Sequence, residues 1–322
     1  MITESKIKLW SKLGSRATYG QAMLSLPEKN QNVLAMSADL GNSSGLAPFI
    51  RKYPEKFINV GIAEQNMIGV ASGLAKEGFT PYVTSFAPFL SMRASEQIRM
   101  ELGYMQFNVR VVALGSGLAM AFLGNSHFGL EDVAVMRAIP NITIISPSDC
   151  TEIFKVVHAT SEHQGPVYIR LTGGVNNPIV NTQDYDFKIG KSIELLSGKD
   201  VALISTGSMV SKALDASKIL NTKGIKADVI NMHTIKPIDK VKLSELILSG
   251  KPIVSIEEHT VVGGLGSAIA EFFSEINKSV PLKIIGLEDK FGKTASYEHL
   301  LKIHGLDGDS LSTKVEDFLS LL

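Results

Sequence analysis

At 322 residues the chain is long enough for two ordinary domains, and with 44% hydrophobic and 20% charged residues it lies in the globular range, away from disorder. Its 32 basic residues balance 32 acidic ones, so charge favours neither nucleic acid nor an anionic membrane as a partner. The single cysteine, Cys150, excludes an internal disulfide framework and reads as a small buried apolar residue in a reducing cytoplasm.

The N-terminal run Met1-Ile2-Thr3-Glu4-Ser5-Lys6-Ile7 carries an early acid and no apolar core, unlike a signal peptide, and no apolar run has the length to span a bilayer. Cytoplasm is the expected location. Short β-branched or apolar runs then recur at Asn32 to Met36, Pro81 to Thr84, Val109 to Leu114, Ile142 to Ile145 and Val167 to Leu171. Helix-like stretches separate them, which is the pattern of parallel βαβ units. Glu64 to Lys76 reads as a helix rich in small residues (Gly69, Ala71, Ser72, Gly73, Ala75), a composition expected from tight core packing.

Turn formers and a lull in hydrophobic period mark a boundary between Gly173 and Asp186. Beyond it the alternation restarts with Val201 to Ser205, a helix from about Ser208 to Leu220, Lys226 to Asn231, Pro252 to Glu257, a helix from Leu265 to Ile276, and Leu282 to Ile285. Two three-layer α/β domains are expected, over residues 1–185 and 186–322, the first with a mainly parallel sheet and the second smaller. Gly263-Gly264-Leu265-Gly266 reads as a tight strand-to-helix turn, because it lacks the dinucleotide-binding spacing. Gly190-Lys191-Ser192 and Gly292-Lys293-Thr294 lack the first glycine of a P-loop and are no nucleotide site.

Among groups that carry chemistry, Glu64 in Gly61-Ile62-Ala63-Glu64-Gln65-Asn66-Met67 stands at the edge of an apolar helix, where an ionised carboxylate is costly unless paired. Spacing alone favours the plainer reading, a solvated acid at a helix N-terminus that gains modestly from the helix dipole.

The wider series decides between the two. After Glu64 come Phe79 through Phe89, then Arg93-Ala94-Ser95-Glu96-Gln97-Ile98-Arg99, Asn125-Ser126-His127, Glu131-Asp132, Arg137, Pro140-Asn141, Ser146-Pro147-Ser148-Asp149 and Gly165-Pro166-Val167-Tyr168-Ile169-Arg170. In this order the series resembles the pyrimidine-binding domain of the transketolase family, and the region after Lys188 resembles that family's C-terminal domain. The resemblance implies that Glu64 hydrogen-bonds the pyrimidine nitrogen N1′ of thiamine diphosphate. A carboxyl sharing a proton there favours the tautomer whose exocyclic nitrogen takes the proton from the thiazolium carbon, and burial helps by raising a carboxyl's pKa. The family also implies that Phe86 and Phe89 pack on the pyrimidine ring and that His127 faces the substrate with catalytic effect. Arg16, Arg93 and Arg170, with Ser43, fall near family positions that contact the distal anion of a sugar, where a guanidinium fork binds phosphate or sulfonate.

Two departures bear on the substrate. A family histidine aligns with Gly115, and a family aspartate that reads a sugar hydroxyl aligns with Leu123. Both losses weaken the case for an ordinary pentose phosphate donor. The family's Gly-Asp-Gly run with a later Asn, which holds diphosphate and a divalent metal, does not occur; the nearest string is Gly305-Leu306-Asp307-Gly308-Asp309 near the C-terminus. No metal-binding residue is therefore expected in this chain.

The resemblance thus implies one subunit of a split, thiamine diphosphate-dependent transketolase. Its partner would be a separate diphosphate-binding subunit that holds Mg²⁺ (or Ca²⁺), in an α2β2 heterotetramer that moves a two-carbon ketol unit from a ketose to an aldehyde. The alternatives are the β subunit of a 2-oxo acid dehydrogenase-like enzyme and a non-catalytic regulatory subunit of this fold.

Overall fold

The computed structural model of the chain describes residues 2–322. Met1, which begins the N-terminal run and the first expected domain, lies outside the described residues. The strands in chain order are β1 (Val33–Ser37), β2 (Phe57–Asn59), β3 (Thr80–Phe86), β4 (Arg110–Leu114), β5 (Thr143–Ile145), β6 (Val167–Leu171), β7 (Ile193–Leu196), β8 (Val201–Ser205), β9 (Ala227–Asn231), β10 (Thr234–Lys236), β11 (Ile253–Thr260) and β12 (Leu282–Leu287).

They form two sheets, one of seven strands in the order β10-β5-β6-β4-β3-β1-β2 and one of five in the order β12-β11-β8-β9-β7. Pairing is parallel throughout except at β10 against β5 and β7 against β9. The expected plan of a mainly parallel first sheet and a smaller second one is the observed one. Central strands such as Val33–Ser37, Arg110–Leu114 and Val201–Ser205 are buried along their whole length, because helices cover both faces. Side-chain alternation sorts them between faces: Met36, Val83, Val111 and Ile144 join one core of the first sheet, and Ala35, Tyr82, Val112 and Ile145 the other.

The connection between the sheets, residues 172–192, has neither helix nor strand. One crossing modifies the expected division at 185/186: β10 belongs to the second segment by sequence, yet it pairs with β5 at the edge of the first sheet. The helix Glu64–Lys76 lies where expected, but its glycines do not serve tight packing within the chain. A Cβ added at Gly73 meets nothing, and one at Gly69 meets only Glu101 Oε1, at 3.7 Å. Cys150 is buried, with its thiol pushed up to about 12 by that burial.

Candidate active site

Glu64 is the first residue of the helix Glu64–Lys76, entered through Gly61 at φ +71°. The residue is 1% exposed, so its carboxylate needs partners within the fold. Ser85, the penultimate residue of β3, donates to Oε1 at 3.0 Å, and Arg93 Nη1 donates to Oε2 at 2.7 Å. The Arg93 side chain is 46% exposed, so the pair joins a buried carboxylate to a guanidinium that reaches solvent.

The chain turns at the end of β3 into a π-helical segment, Phe89–Arg93, and this wide turn brings Phe86 and Phe89 together edge to face, centroids 5.9 Å apart. His127 closes the group, edge-on to Phe86 at 5.8 Å and to Phe89 at 5.3 Å. Guanidinium groups flank it on both sides: Arg93 lies 4.4 Å from the Phe89 centroid and Arg16 lies 5.4 Å from that of Phe86. Ser126 Oγ is 2.9 Å from His127 Nδ1, which leaves Nε2 free of that contact. Arg16 also reaches the Ser43 carbonyl at 3.4 Å, while the Ser43 hydroxyl donates to Leu40 O at 3.2 Å.

Seven of the eight expected residues are therefore brought together. Arg170 is the exception, and its expected place at the sugar anion is corrected by its surroundings. On β6 it is 2% exposed, and its Nε donates to both oxygens of Asp132, at 2.9 and 3.1 Å. Its Nη2 donates to the carbonyls of Gly129 and Glu258, each at 2.9 Å. A guanidinium so committed ties the two domains together and is withheld from a sugar anion.

The departures from the family have a spatial explanation. Gly115 adopts φ +63°, and a Cβ there would lie 2.5 Å from Met120 Sδ, so the thioether fills the place a side chain at 115 would take. Leu123 and Phe122 are exposed at the tip of the same loop. The loop that leads to His127 is thus apolar at Met120, Phe122 and Leu123. Reading the sequence also missed Ser85, Asp132 as the partner of Arg170, and the buried run Glu257-Glu258-His259 on β11. Only the last left a signal, three titratable residues ending an apolar strand.

At the Gly263–Gly266 turn the amides of Leu265 and Gly266 do cradle an anion, but it is the chain's own Glu257, at 2.7 and 2.9 Å. Burial outweighs these bonds and pushes the Glu257 carboxyl up to about 7. Among the described residues, no group of three or more His, Cys, Asp or Glu is placed to hold a metal ion, and no helix is long and apolar enough to cross a membrane.

Residues 11–175 match the model of the transketolase pyrimidine binding domain, and residues 190–311 that of the transketolase C-terminal domain. The chain belongs to the transketolase family. It is 40% identical over 304 residues to a protein of Methanocaldococcus jannaschii provisionally named as a transketolase C-terminal section, covering 94% of this chain and 95% of that one. It is 37% identical over 293 residues to a 6-deoxy-6-sulfo-D-fructose transketolase subunit of Clostridium sp. strain MSTE9, covering 90% of each. A solved structure described as a split gene transketolase, inactive beta4 tetramer, superposes with a TM-score of 0.87 at 38% identity, covering 96% of this chain and 99% of that one. Each of these relatives is matched over 90% or more of its own length.

Proposed function

We propose that the chain is the pyrimidine-binding subunit of a two-subunit transketolase that transfers a two-carbon ketol unit from a ketose to an aldehyde. The observation that carries this reading is a buried carboxylate, Glu64, linked through Arg93 to the aromatic group of Phe86, Phe89 and His127. A planar heteroaromatic ring with a basic nitrogen fits that combination: the rings offer flat apolar contact, and the carboxylate offers a proton partner at the edge. A carboxylate has about four lone-pair positions, and Ser85 and Arg93 use two, so Glu64 accepts a further proton donor without losing either.

Thiamine diphosphate, when bound, supplies the carbanion chemistry of the reaction. Glu64 holds the proton at the pyrimidine nitrogen, and Phe86 and Phe89 keep water from that ring. His127 faces the sugar and exchanges protons with its hydroxyl or carbonyl oxygen through Nε2. Arg16 and Arg93, flanking the aromatic group, attract the distal anion, with Ser43 beside Arg16. The apolar loop of Met120, Phe122 and Leu123 offers no hydroxyl partner and so favours a donor that asks for none there, such as a sulfonated or otherwise modified ketose.

A separate subunit brings the diphosphate site and its Mg²⁺ or Ca²⁺, since the Gly-Asp-Gly run is missing from this sequence. The open Gly69 and Gly73 face, on a helix packed beside the segment of exposed Met100, Tyr104 and Met105, supports an α2β2 assembly, and the single cysteine supports a cytoplasmic one. The test is reconstitution. The chain with a diphosphate-domain subunit, thiamine diphosphate and Mg²⁺ is expected to turn over a ketose donor, and neither chain alone is. Full turnover by this chain alone would overturn the split, and no thiamine diphosphate binding by the pair would overturn the enzyme.

A further inference from the structure

The loop that presents His127 is built onto the second domain. It leaves β4 at Gly115, and its base is closed by two backbone bonds between Gly117 and Gly129, at 2.8 and 3.1 Å. Leu118, Phe128 and Leu130, at its two ends, are buried in the core of the second sheet with Leu203 of β8 and Val254 and Ile256 of β11.

The backbone amide of Leu118 donates to Glu258 Oε1 at 2.6 Å. The other oxygen of Glu258 accepts from Ser208 and, at 2.6 Å, from Tyr297, so one buried carboxylate ties the loop to the starts of two helices of the second domain. At the tip, the side-chain amide of Asn125 makes two bonds to Gly292: Nδ2 donates to the carbonyl at 2.8 Å, and Oδ1 accepts from the amide at 3.2 Å. Gly124 backs onto Thr294, whose Cγ2 would lie 2.5 Å from an added Cβ.

We infer that the second domain is a working wall of the active site, and that Asn125 and Glu258 are positioning residues that set His127 against Phe86 and Phe89. The inference rests on the reading above, in which His127 faces the sugar. A surface loop carrying glycines at positive φ orders poorly by itself, and a displacement of about 1 Å at a reacting group costs up to about a hundredfold in rate. The contacts at Asn125 and Phe128 bracket His127 and, with that at Leu118, remove that freedom.

Asn125→Ala tests this, because Asn125 is exposed and its loss leaves both cores intact. Hydrogen exchange on the full chain is expected to become about tenfold faster across residues 118–128. In the reconstituted holoenzyme, kcat/KM with 6-deoxy-6-sulfo-D-fructose or D-fructose 6-phosphate as donor is expected to fall about tenfold, with thiamine diphosphate affinity unchanged. In a His127→Ala background the same substitution is expected to change kcat/KM less than about twofold. Unchanged exchange across the loop overturns the clamp, whatever the enzyme's chemistry. Faster exchange with an undiminished kinetic effect in the His127→Ala background overturns the link to His127. Wild-type turnover by His127→Ala removes that residue's role from the proposed function, while the exchange result still decides the clamp.

Discussion

Replacing Glu64 by Gln separates the chemistry of the carboxylate from its place in the fold. Glu64 accepts from Ser85 at 3.0 Å and from Arg93 at 2.7 Å. In Glu64→Gln the amide oxygen still accepts from Arg93, and the amide nitrogen donates to the Ser85 hydroxyl, so neither buried contact is orphaned. What is lost is the charge. A charge-assisted bond contributes about 1.5–3 kcal/mol and a neutral one about 0.5–1.5, and the Arg93 guanidinium left behind is half in water, so the cost is about 1 kcal/mol. For a chain of this length that lowers the melting temperature by about 2 °C. A carboxyl that positions a proton contributes about 10²–10⁴ in rate, equivalent to about 3–5 kcal/mol of barrier. The assay pairs a melting curve of the isolated variant with donor turnover in the reconstituted enzyme. A fall in turnover of at least about a hundredfold with a nearly unchanged melt is expected. Turnover within about threefold of wild type refutes the role, and a loss of activity matched by unfolding refutes the separation.

Arg170→Met is expected to cost about 3–5 kcal/mol in urea unfolding, because it strands the fully buried Asp132 carboxylate; a stable variant with a raised donor KM would instead restore Arg170 to the substrate. Gly117→Ala is expected to cost about 2 kcal/mol or more, since φ is +68° and the new methyl collides with the Glu258 carboxylate; an unchanged urea midpoint refutes that packing. Glu257 gives the fold a pH dependence. Its folded-state pKa of about 7 stands above the ordinary value of 4.5, so its contribution is fully present below about pH 4.5 and is lost as pH rises through about 7. The difference amounts to about 3 kcal/mol. Urea unfolding between about pH 5 and 8 is expected to show a shallower decline with pH for Glu257→Gln than for wild type, and parallel curves refute it.

The central strands are legible in the sequence because burial on both faces makes them continuous apolar runs. The strands Phe57–Asn59, Ile193–Leu196 and Thr234–Lys236 are not, because three or four residues of mixed exposure carry neither that signal nor a clear alternation. At the site, the resemblance carried by the series from Glu64 through His127 implies an acid near aromatic rings, and the fold brings Phe86, Phe89 and His127 into contact, with Arg93 linking them to Glu64. Arg170 shows where such reading stops: residue type tells that a charge is present, but not whether it faces solvent, and nothing in the spacing of Asp132 and Arg170 announces that each neutralises the other. The same holds for the second domain, whose sequence from Val201 to Leu287 looks like a self-contained α/β unit. Its part in the site arises from contacts between residues far apart in the chain, Leu118 with Glu258 and Asn125 with Gly292, and such contacts leave no local pattern. The loop from Gly115 to His127 is defined by what holds it, and the geometry of His127 is as much a property of β11 and the segment after β12 as of the strand that leads into it.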